Sequence, residues 1–369
     1  MFNDQQKDAL RAVDKWFTEY KTSQGRNRKQ IFRLFGYAGT GKTTLAKHFA
    51  EGTDDPVFSA FTGKASLVLR KAGCFGARTI HSLIYIAEQD EKTGEVTFRL
   101  NKQSDLKSAD LLIIDECSMV NEELGKHLLS FGKPILVLGD PAQLPPVEGS
   151  GFFTDQEPDF MLTEIHRQAK DNPIIYLATQ ARNNIMPDIG EYGDSVVKSS
   201  ISSVDAMNAD QILVGRNITR ENMNSKMRKM LKFTSDLPVK DERLICLRND
   251  KDTGIFNGGT FTVLNQLPNK FKTQFMQYML KSDDENRPPI IAKVHNSFFM
   301  GDVPTPHWKA LKKSQQFDFG YAITVHKSQG SQWEDVLLYG SESYVFRDQQ
   351  FRFLYTGITR ASERLTLVV

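Results

Sequence analysis

Short apolar runs alternate with amphipathic segments along the first half of the chain. Four runs have the length of buried strands: 31–35, 57–61, 111–115 and 134–139. The segments between them, such as 121–130, have the apolar spacing of helices, and Asn121 stands where a helix N-cap is expected. Apolar strands separated by helices are typical of a parallel sheet that helices cover on both faces. The first half therefore predicts an α/β domain.

The same alternation returns in the second half. Four further runs have strand character: 211–215, 243–247, 335–340 and 364–369. Because helical segments such as 217–232 lie among them, they predict a second α/β sheet. A length of 369 residues fits two such domains, since it exceeds what one ordinary hydrophobic core supports.

Two stretches do not follow the alternation. Residues 84–107 contain strand-like runs around a turn signal at 92–94, which predicts a β-hairpin. Residues 255–317 combine strand-like runs with a charged segment, which predicts a small β-rich insertion. We expect both stretches to project from the two sheets rather than to form part of them.

Composition and charge narrow the classes of function. The net charge is only +2, so a surface for nucleic acid would have to be a local basic patch. The three cysteines, Cys74, Cys117 and Cys246, lie far apart, which predicts reduced thiols. No His/Cys cluster has the spacing of metal ligands, which argues against a zinc site. The polar N-terminus and the lack of an apolar run of about 20 residues predict a cytoplasmic protein without a secretory signal or membrane span.

The segment after the first predicted strand has the spacing of a phosphate-binding loop. Residues 36–43 fit the pattern G-x-x-x-x-G-K-T and precede a predicted helix. In such a loop the backbone amides surround the phosphates, the lysine reaches the β- and γ-phosphates, and the last hydroxyl binds Mg²⁺. We therefore predict ATP and Mg²⁺ as cofactors. The residues that we expect around the phosphates are Gly36, Ala38, Gly39, Thr40, Gly41, Lys42, Thr43 and Thr44.

Two further strands end in the polar residues that a phosphate-binding loop requires. Asp115 ends the run 111–115, and we expect it to hold Mg²⁺ together with Thr43, while Glu116 polarises the attacking water. Asp140 and Gln143 follow the run 134–139, at the carboxyl edge where open α/β sheets bind ligands. The Gln143 amide can hydrogen-bond both a γ-phosphate and the attacking water.

Seven segments together resemble the motifs of superfamily-one helicases, in their order and approximate spacing. They are GYAGTGKTT, TIHSL, IIDECSM, GDPAQLPPV, LTEIHRQ, AITVHKSQG and YTGITRA. The resemblance covers about residues 2–369, and it is greatest to the RecD/Dda branch and its compact, phage-type Dda helicases. It implies two RecA-like domains, 1–165 and 166–369, with ATP bound between them. The hairpin would then belong to the first domain and the β-rich insertion to the second.

The resemblance also assigns roles in nucleotide binding and hydrolysis. It implies that Gln6 reads adenine, with Gln5 as the adjacent alternative, and that Gly330 lies at the nucleotide. Arg167 and Arg360 match two arginines that the second domain directs at the γ-phosphate, so that hydrolysis depends on domain closure. Two further arginines match another motif of the second domain: Arg216 and Arg220.

Three segments, SAFTGKAS, RTIHSL and AITVHKSQG, match the family's motifs for holding single-stranded nucleic acid, where basic and stacking side chains are needed. The matching residues are Phe61, Thr62, Lys64, Thr79, His81, Thr324, His326 and Lys327. In the hairpin, Phe98 and Tyr85 are candidates for a wedge that separates the duplex. Trp308, beside three lysines, is a candidate either for stacking on a base or for covering the core of the insertion. The basic segment 217–232 fits a solvated helix face or a contact to the phosphate backbone.

These features predict an ATP-dependent DNA helicase that moves along a single strand, and the resemblance implies 5′ to 3′ polarity. The expected partners are single-stranded DNA, forked duplex DNA, and replication or recombination proteins. We expect a monomer that acts in the cytoplasm, which for a phage-encoded protein is that of the bacterial host. Two alternatives remain open. One is an RNA helicase or RNA-translocating ATPase of the same superfamily, and the other is a P-loop switch or kinase that does not translocate.

Overall fold

The structure is a computed structural model, and it describes residues 2–23, 28–89, 96–146, 151–164, 172–250, 253–268, 274–300, 311 and 314–369. The described part of the chain forms two predominantly parallel sheets, one antiparallel sheet and one hairpin. The predicted α/β class with a hairpin and a β-rich insertion is therefore confirmed. The predicted domain boundary between residues 165 and 166 lies outside the described residues, because the range 165–171 is not among them.

The first half contains five helices and eight strands among its described residues. In chain order they are α1 (Asp4–Thr22), β1 (Ile31–Gly36), α2 (Lys42–Ala50), β2 (Pro56–Ala60), α3 (Gly63–Lys71), β3 (Arg78–Thr79), α4 (Ile80–Ile84), β4 (Tyr85–Gln89), β5 (Val96–Leu100), β6 (Leu111–Asp115), α5 (Glu122–Leu129), β7 (Ile135–Gly139) and β8 (Phe160–Leu162). Short 3₁₀ helices span Asp105–Lys107 and Cys117–Met119.

The first sheet has the strand order β3-β2-β6-β7-β1-β8, and every pair of neighbouring strands is parallel. Helices α1, α2 and α3 pack on one face, and α4 and α5 pack on the other. This double cover explains why the strands have continuous apolar sequences rather than alternating ones. Because β6, β7 and β1 are neighbours, their carboxyl ends lie side by side. The segments that follow these three strands carry the predicted nucleotide site.

The second half contains five helices and eleven strands among its described residues. In chain order they are α6 (Pro173–Arg182), β9 (Gly190–Tyr192), β10 (Ser195–Lys198), α7 (Ser203–Asn208), β11 (Gln211–Val214), α8 (Asn217–Met230), β12 (Arg243–Cys246), β13 (Thr260–Leu267), β14 (Phe275–Ser282), β15 (Ile290–His295), β16 (Phe317–Phe319), β17 (Ala322–Thr324), α9 (Val325–Ser328), β18 (Trp333–Tyr339), α10 (Gln350–Ile358) and β19 (Ala361–Val368). Short 3₁₀ helices span Asn296–Phe298 and Gly340–Gln349.

The second sheet has the strand order β17-β11-β18-β19-β10-β9, and only β9 runs antiparallel to its neighbour. The runs predicted at 211–215, 335–340 and 364–369 are three of its strands, β11, β18 and β19. Strand β19 pairs with both β18 and β10, so the last described strand of the chain lies inside the sheet. Helices α6 and α10 pack together on one face of this sheet.

The placement of residues 243–247 in the second sheet is wrong. Strand β12 pairs antiparallel with β13 and β16, and it is the fourth strand of the third sheet, whose order is β15-β14-β13-β12-β16. This sheet extends over 243–319 and is larger than the predicted insertion at 255–317. Leu244 faces the core of the third sheet, and Ile245 faces the core shared with α6 and α10. An apolar run that is buried on both faces does not reveal which sheet it joins.

The hairpin consists of β4 and β5, which pair antiparallel with Tyr85 opposite Leu100 and Ile86 opposite Arg99. Its strands lie within the predicted range 84–107, whereas the turn predicted at 92–94 lies outside the described residues. The described helices include none that combines the length and the apolar character needed to cross a bilayer.

Candidate nucleotide and nucleic-acid sites

The phosphate-binding loop connects the end of β1 to the start of α2. Gly41 is the N-cap of α2 and has a φ of 85°, a left-handed conformation that residues with a side chain adopt only with strain. The ammonium group of Lys42 donates hydrogen bonds to the carbonyl oxygens of Gly36, at 2.6 Å, and of Tyr37, at 3.0 Å. Gly39 and Thr44 are exposed, and Thr40 is buried. The loop thus has the backbone turn and the helix N-terminus that phosphate binding requires.

Thr43 and Asp115 form the predicted metal site. The Thr43 hydroxyl donates a hydrogen bond of 2.8 Å to Asp115 Oδ2, and the Glu116 amide donates one of 2.8 Å to Asp115 Oδ1. Burial raises the pKa of Asp115 to about 6, and the charge of Glu116 acts in the same direction. A hydroxyl and a carboxylate in contact are hard oxygen donors, so these residues fit Mg²⁺. The described residues hold no cluster of three or more His, Cys, Asp or Glu side chains that could bind a metal by themselves.

Glu116 lies at a strained position next to this pair. Its φ of 53° and ψ of 48° are left-handed, which is unusual for a residue with a side chain. The conformation turns the chain out of β6 into the following 3₁₀ helix, and it leaves the Glu116 side chain 25% exposed. Strained conformations of this kind concentrate at functional sites. The position is consistent with the predicted role of polarising a water molecule.

Asp140 and Gln143 lie in the segment after β7, which we call the 140–144 loop. Asp140 is buried; its Oδ1 accepts a hydrogen bond of 3.0 Å from the Ala142 amide, and its Oδ2 accepts one of 2.6 Å from the Tyr355 hydroxyl. Gln143 is buried as well, and within the described structure its Oε1 has no hydrogen-bond partner. A buried acceptor without a partner is costly, so Gln143 fits a role in holding a ligand or water.

Arg360 reaches the nucleotide site from the end of α10. Its guanidinium group donates hydrogen bonds to the Thr356 carbonyl at 3.0 Å, the Ser331 carbonyl at 3.2 Å and the Thr359 hydroxyl at 3.1 Å. Arg360 Nη1 also lies 4.0 Å from Glu116 Oε1, across the boundary between the two parallel sheets. The second predicted arginine, Arg167, lies outside the described residues.

The glutamines predicted for adenine lie beside the phosphate-binding loop. Gln6 is buried; its amide nitrogen donates a hydrogen bond of 3.0 Å to the Thr40 carbonyl, and its oxygen accepts one of 3.1 Å from the Asn3 amide. The second bond completes a capping box at the start of α1. The Gln5 oxygen accepts hydrogen bonds from the Thr163 and Glu164 amides. Their role in adenine recognition stays a prediction.

Three other residues with predicted roles contact protein groups. Gly330 lies against α3, where a Cβ atom would be 2.7 Å from Ala65 Cβ, so its neighbours belong to the nucleic-acid motif rather than to the phosphate-binding loop. Arg216 pairs with Glu342 at 2.8 Å, and Arg220 pairs with Asp318. The bond between Arg216 and Glu342 holds the start of α8, because Glu342 also accepts from the Gly215 and Arg216 amides.

A cavity of about 610 Å³ contains most residues that were predicted to contact nucleic acid. It lies between α3, the hairpin, the third sheet and α9. The predicted residues that line it are Phe61, Thr62, Lys64, Thr79, His81, Phe98, His326 and Lys327. Thr324 does not line it; its hydroxyl caps α9 by accepting from the Lys327 amide. Trp308 lies outside the described residues.

Aromatic rings form one wall of this cavity. His81 is in the middle, with ring centroids 5.7 Å from Phe61, 5.6 Å from Tyr85 and 5.7 Å from Phe98. Burial lowers the pKa of His81, which favours a neutral ring among these neighbours. Phe98 is 54% exposed, and the Tyr85 hydroxyl lies 2.6 Å from His127 Nδ1, which ties the hairpin to α5. An exposed aromatic surface of this kind can stack on bases.

The opposite wall includes residues that were not among the predicted nucleic-acid contacts. Arg248, Asn249 and Asn257 lie between strands β12 and β13 of the third sheet, and Asn249 Oδ1 accepts a hydrogen bond of 2.7 Å from the Asn257 amide. Gln329 also lines the cavity, and its amide nitrogen donates a hydrogen bond of 2.8 Å to the Leu144 carbonyl of the 140–144 loop. Gln329 stands inside the segment AITVHKSQG and could have been singled out there. The residues of the third sheet carry no comparable signal.

Lys64 lines the cavity, but its ammonium group is already paired. It lies 3.1 Å from Asp284 Oδ1 of the third sheet and 4.5 Å from the centre of the Trp333 ring. Burial lowers the pKa of Lys64, and the charge of Asp284 opposes this effect. Arg70 of the same helix lies 3.7 Å from Glu285. These pairs hold α3 against the third sheet and close one side of the cavity.

Gly63 is expected to be essential for this contact. A Cβ atom at Gly63 would lie 2.4 Å from Phe256 Cβ, so Gly63→Ala must push the third sheet away from α3. We expect the free energy of unfolding to fall by about 1–3 kcal/mol, as in other overpacked sites, and the affinity for single-stranded DNA to fall with it. Denaturant unfolding and fluorescence anisotropy measure these quantities. Gly52→Ala is the control, since a Cβ atom there meets nothing closer than 3.6 Å. Wild-type stability in Gly63→Ala would contradict the assigned contact.

Comparisons with known proteins match this chain to two domain families and to DNA helicases. Residues 2–195 match the model of a family described as AAA domain, and residues 319–368 match the UvrD-like helicase C-terminal domain. The chain is 26% identical to the ATP-dependent RecD2 DNA helicase of Deinococcus radiodurans, over 95% of this chain and 50% of that protein. It is 31% identical to the ATP-dependent DNA helicase dda of Enterobacteria phage T4, over 57% of this chain and 54% of that protein. The chain thus spans about half the length of either relative.

A crystal structure of Bacteroides Pif1 bound to single-stranded DNA has the same fold. The TM-score is 0.61 at 18% sequence identity, and the match covers 99% of this chain and 92% of that chain.

Proposed function

Because this chain belongs to the family described as AAA domain and resembles the superfamily-one helicases of the RecD/Dda branch, we propose that it hydrolyses ATP to move along single-stranded DNA and to separate duplex strands. The observation that carries the proposal is the position of Gln329. Gln329 lines the nucleic-acid cavity, and its side-chain amide donates a hydrogen bond to the carbonyl of Leu144, the residue next to Gln143. A single side chain therefore connects the two predicted sites.

Each residue of the candidate nucleotide site has its own role in hydrolysis. Lys42 exchanges its bonds with the Gly36 and Tyr37 carbonyls for bonds with the β- and γ-phosphates. Thr43 and Asp115 would hold Mg²⁺, which supplies charge neutralisation to the phosphates when it is bound. Glu116 accepts a proton from the attacking water, Gln143 orients that water, and Arg360 neutralises charge that develops on the γ-phosphate. Because Arg360 comes from the second sheet, hydrolysis requires the two sheets to close on each other.

Closure also changes the nucleic-acid cavity. Its walls come from both parallel sheets and from the third sheet, so a movement between them changes the grip on a strand. Alternating grip converts a cycle of hydrolysis into steps along the strand. The aromatic wall supports stacking on bases, and stacking does not depend on base identity. The resemblance supports 5′ to 3′ movement of a monomer on forked DNA. It also supports replication or recombination proteins as partners and the cytoplasm as the place of action.

The proposed function is tested by two measurements on the unaltered protein. We expect poly-dT to stimulate ATP hydrolysis more strongly than poly-U, and we expect unwinding of forked DNA with a 5′ tail but not of DNA with only a 3′ tail. Stronger stimulation by poly-U would favour an RNA-translocating enzyme. Hydrolysis that no nucleic acid stimulates would favour a P-loop switch or kinase and would overturn the proposal.

A further inference from the structure

Tyr355, the first residue of the segment YTGITRA, makes a contact between the two parallel sheets, and no role was predicted for it from the sequence. It lies in α10 and is 1% exposed, within the apolar core of the second sheet. Its hydroxyl nevertheless reaches two groups of the first half. It donates a hydrogen bond of 2.6 Å to Asp140 Oδ2 and accepts one of 2.9 Å from the Ala38 amide. Burial raises the pKa of Tyr355 well above its usual value, so the hydroxyl keeps its single proton for Asp140.

The two partners of this hydroxyl belong to the two loops that face the nucleotide. Ala38 is the third residue of the phosphate-binding loop, whose amides are oriented for phosphate oxygens. Asp140 begins the 140–144 loop, and its other oxygen accepts from the Ala142 amide, which fixes the turn that leads to Gln143. A short bond between a hydroxyl and a carboxylate is stronger than a neutral one. Tyr355 therefore sets the distance between the two loops.

The neighbouring residue holds the other end of the same loop. The Thr356 hydroxyl accepts a hydrogen bond of 2.8 Å from the Leu144 amide. Two consecutive residues of α10 thus contact the start and the end of the 140–144 loop, and Arg360 follows at the end of the helix. A movement of α10 relative to the first sheet changes the surroundings of the Ala38 amide, Gln143 and Glu116 together.

We propose that Tyr355 is a positioning residue for hydrolysis, whose hydroxyl aligns the phosphate-binding loop with Gln143 when the two sheets close. The inference rests on the proposed function and adds a residue to the machinery of the same site. Tyr355 acts through Ala38 and Asp140. Its loss should consequently affect the rate of the chemical step more than the binding of ATP.

Tyr355→Phe tests this inference, because it keeps the aromatic ring in its core and removes both hydrogen bonds. We expect kcat for DNA-stimulated ATP hydrolysis to fall roughly tenfold to a hundredfold, as for the loss of a hydrogen bond to a charged group, with KM for ATP within about threefold of the wild type. Tyr321→Phe is the matched control. It removes another buried hydroxyl, which accepts a hydrogen bond of 3.4 Å from the Arg243 amide, and Tyr321 packs in the core of the third sheet.

A double-mutant cycle with Asp140→Asn separates positioning from a general loss of stability. If Tyr355 acts through Asp140, kcat of the double variant should equal, within about threefold, kcat of the less active of the two single variants. If the kcat losses of the two single variants multiply in the double variant, Tyr355 and Asp140 act independently, and the inference is overturned. An unchanged kcat in Tyr355→Phe would also overturn it, as would a kcat loss no larger than that of Tyr321→Phe at equal thermal stability. A wild-type protein without DNA-stimulated hydrolysis overturns the proposed function and, with it, this inference.

Discussion

Replacing Arg360 by alanine is expected to lower the rate of DNA-stimulated ATP hydrolysis by roughly a thousandfold, the lower end of what an arginine at a γ-phosphate contributes in other NTPases. Binding of ATP and of single-stranded DNA should remain close to wild type. Hydrolysis at saturating ATP, nucleotide binding by a fluorescent analogue and DNA anisotropy measure the three quantities. Binding should be spared because Arg360 neither belongs to the phosphate-binding loop nor lines the nucleic-acid cavity.

The position of Arg360 explains the size of the expected effect. Arg360 is 5% exposed, and its guanidinium group is held by the Thr356 carbonyl, the Ser331 carbonyl and the Thr359 hydroxyl. Held in this way, it presents a fixed positive charge 4.0 Å from Glu116. A preorganised charge in a water-poor site stabilises a transition state far more than a mobile surface charge does.

Two variants separate the role of Arg360 in hydrolysis from its role in packing. Arg360→Lys keeps a positive charge but cannot make the same three hydrogen bonds, so we expect partial activity above that of the alanine variant. Arg364→Ala removes an arginine only four residues away, whose exposed side chain pairs with Asp335, and it should leave hydrolysis unchanged. Wild-type hydrolysis in Arg360→Ala would show that this arginine is structural.

The nucleotide site could be predicted from the sequence because its residues follow strands directly. Lys42 and Thr43 lie at a fixed distance after β1, and Asp115 ends β6. Strand ends on one edge of a parallel sheet lie close together, and Thr43 and Asp115, which were predicted to hold Mg²⁺ together, are indeed in hydrogen-bond contact. The left-handed backbone conformation of Glu116, in contrast, could not be predicted from the sequence. Its residue type does not favour that conformation, and only the structure reveals it.

Contacts between distant segments were not predictable in the same way. Tyr355 has the spacing of a core residue in α10, and nothing in the local pattern indicates that its hydroxyl reaches Ala38, 317 positions earlier. Lys64 carries a charge in a nucleic-acid motif, yet its partner Asp284 lies in the third sheet. Such pairs depend on how the sheets pack, and hydrophobic periodicity contains no information on that packing. The assignment of β12 to the wrong sheet has the same cause.

The second large effect is expected from the hairpin. Replacing residues 87–98 by Asn-Gly joins Ile86 to Arg99, which already face each other across the ladder, through a two-residue turn. We expect unwinding of forked DNA to fall roughly a hundredfold, because the outer part of the hairpin is lost together with the Phe98 ring that would stack on the separating base pair. Hydrolysis stimulated by single-stranded DNA should stay within about twofold of wild type. A stopped-flow unwinding assay and a coupled ATPase assay on the same preparations measure the two rates.

Phe98 should account for much of this loss. Its ring is more than half exposed and packs at 5.7 Å from His81 and 5.9 Å from Tyr85, so it extends the aromatic wall of the cavity out along the hairpin. Phe98→Ala removes that extension and leaves the hairpin anchored, because the bond between Tyr85 and His127 does not involve Phe98. Arg99→Ala, on the same strand, removes only an exposed pair with Glu88 and is the control. Full unwinding by the protein without residues 87–98 would refute the role of the hairpin as a wedge. Strand separation would then depend only on how the nucleic-acid cavity binds the single strand.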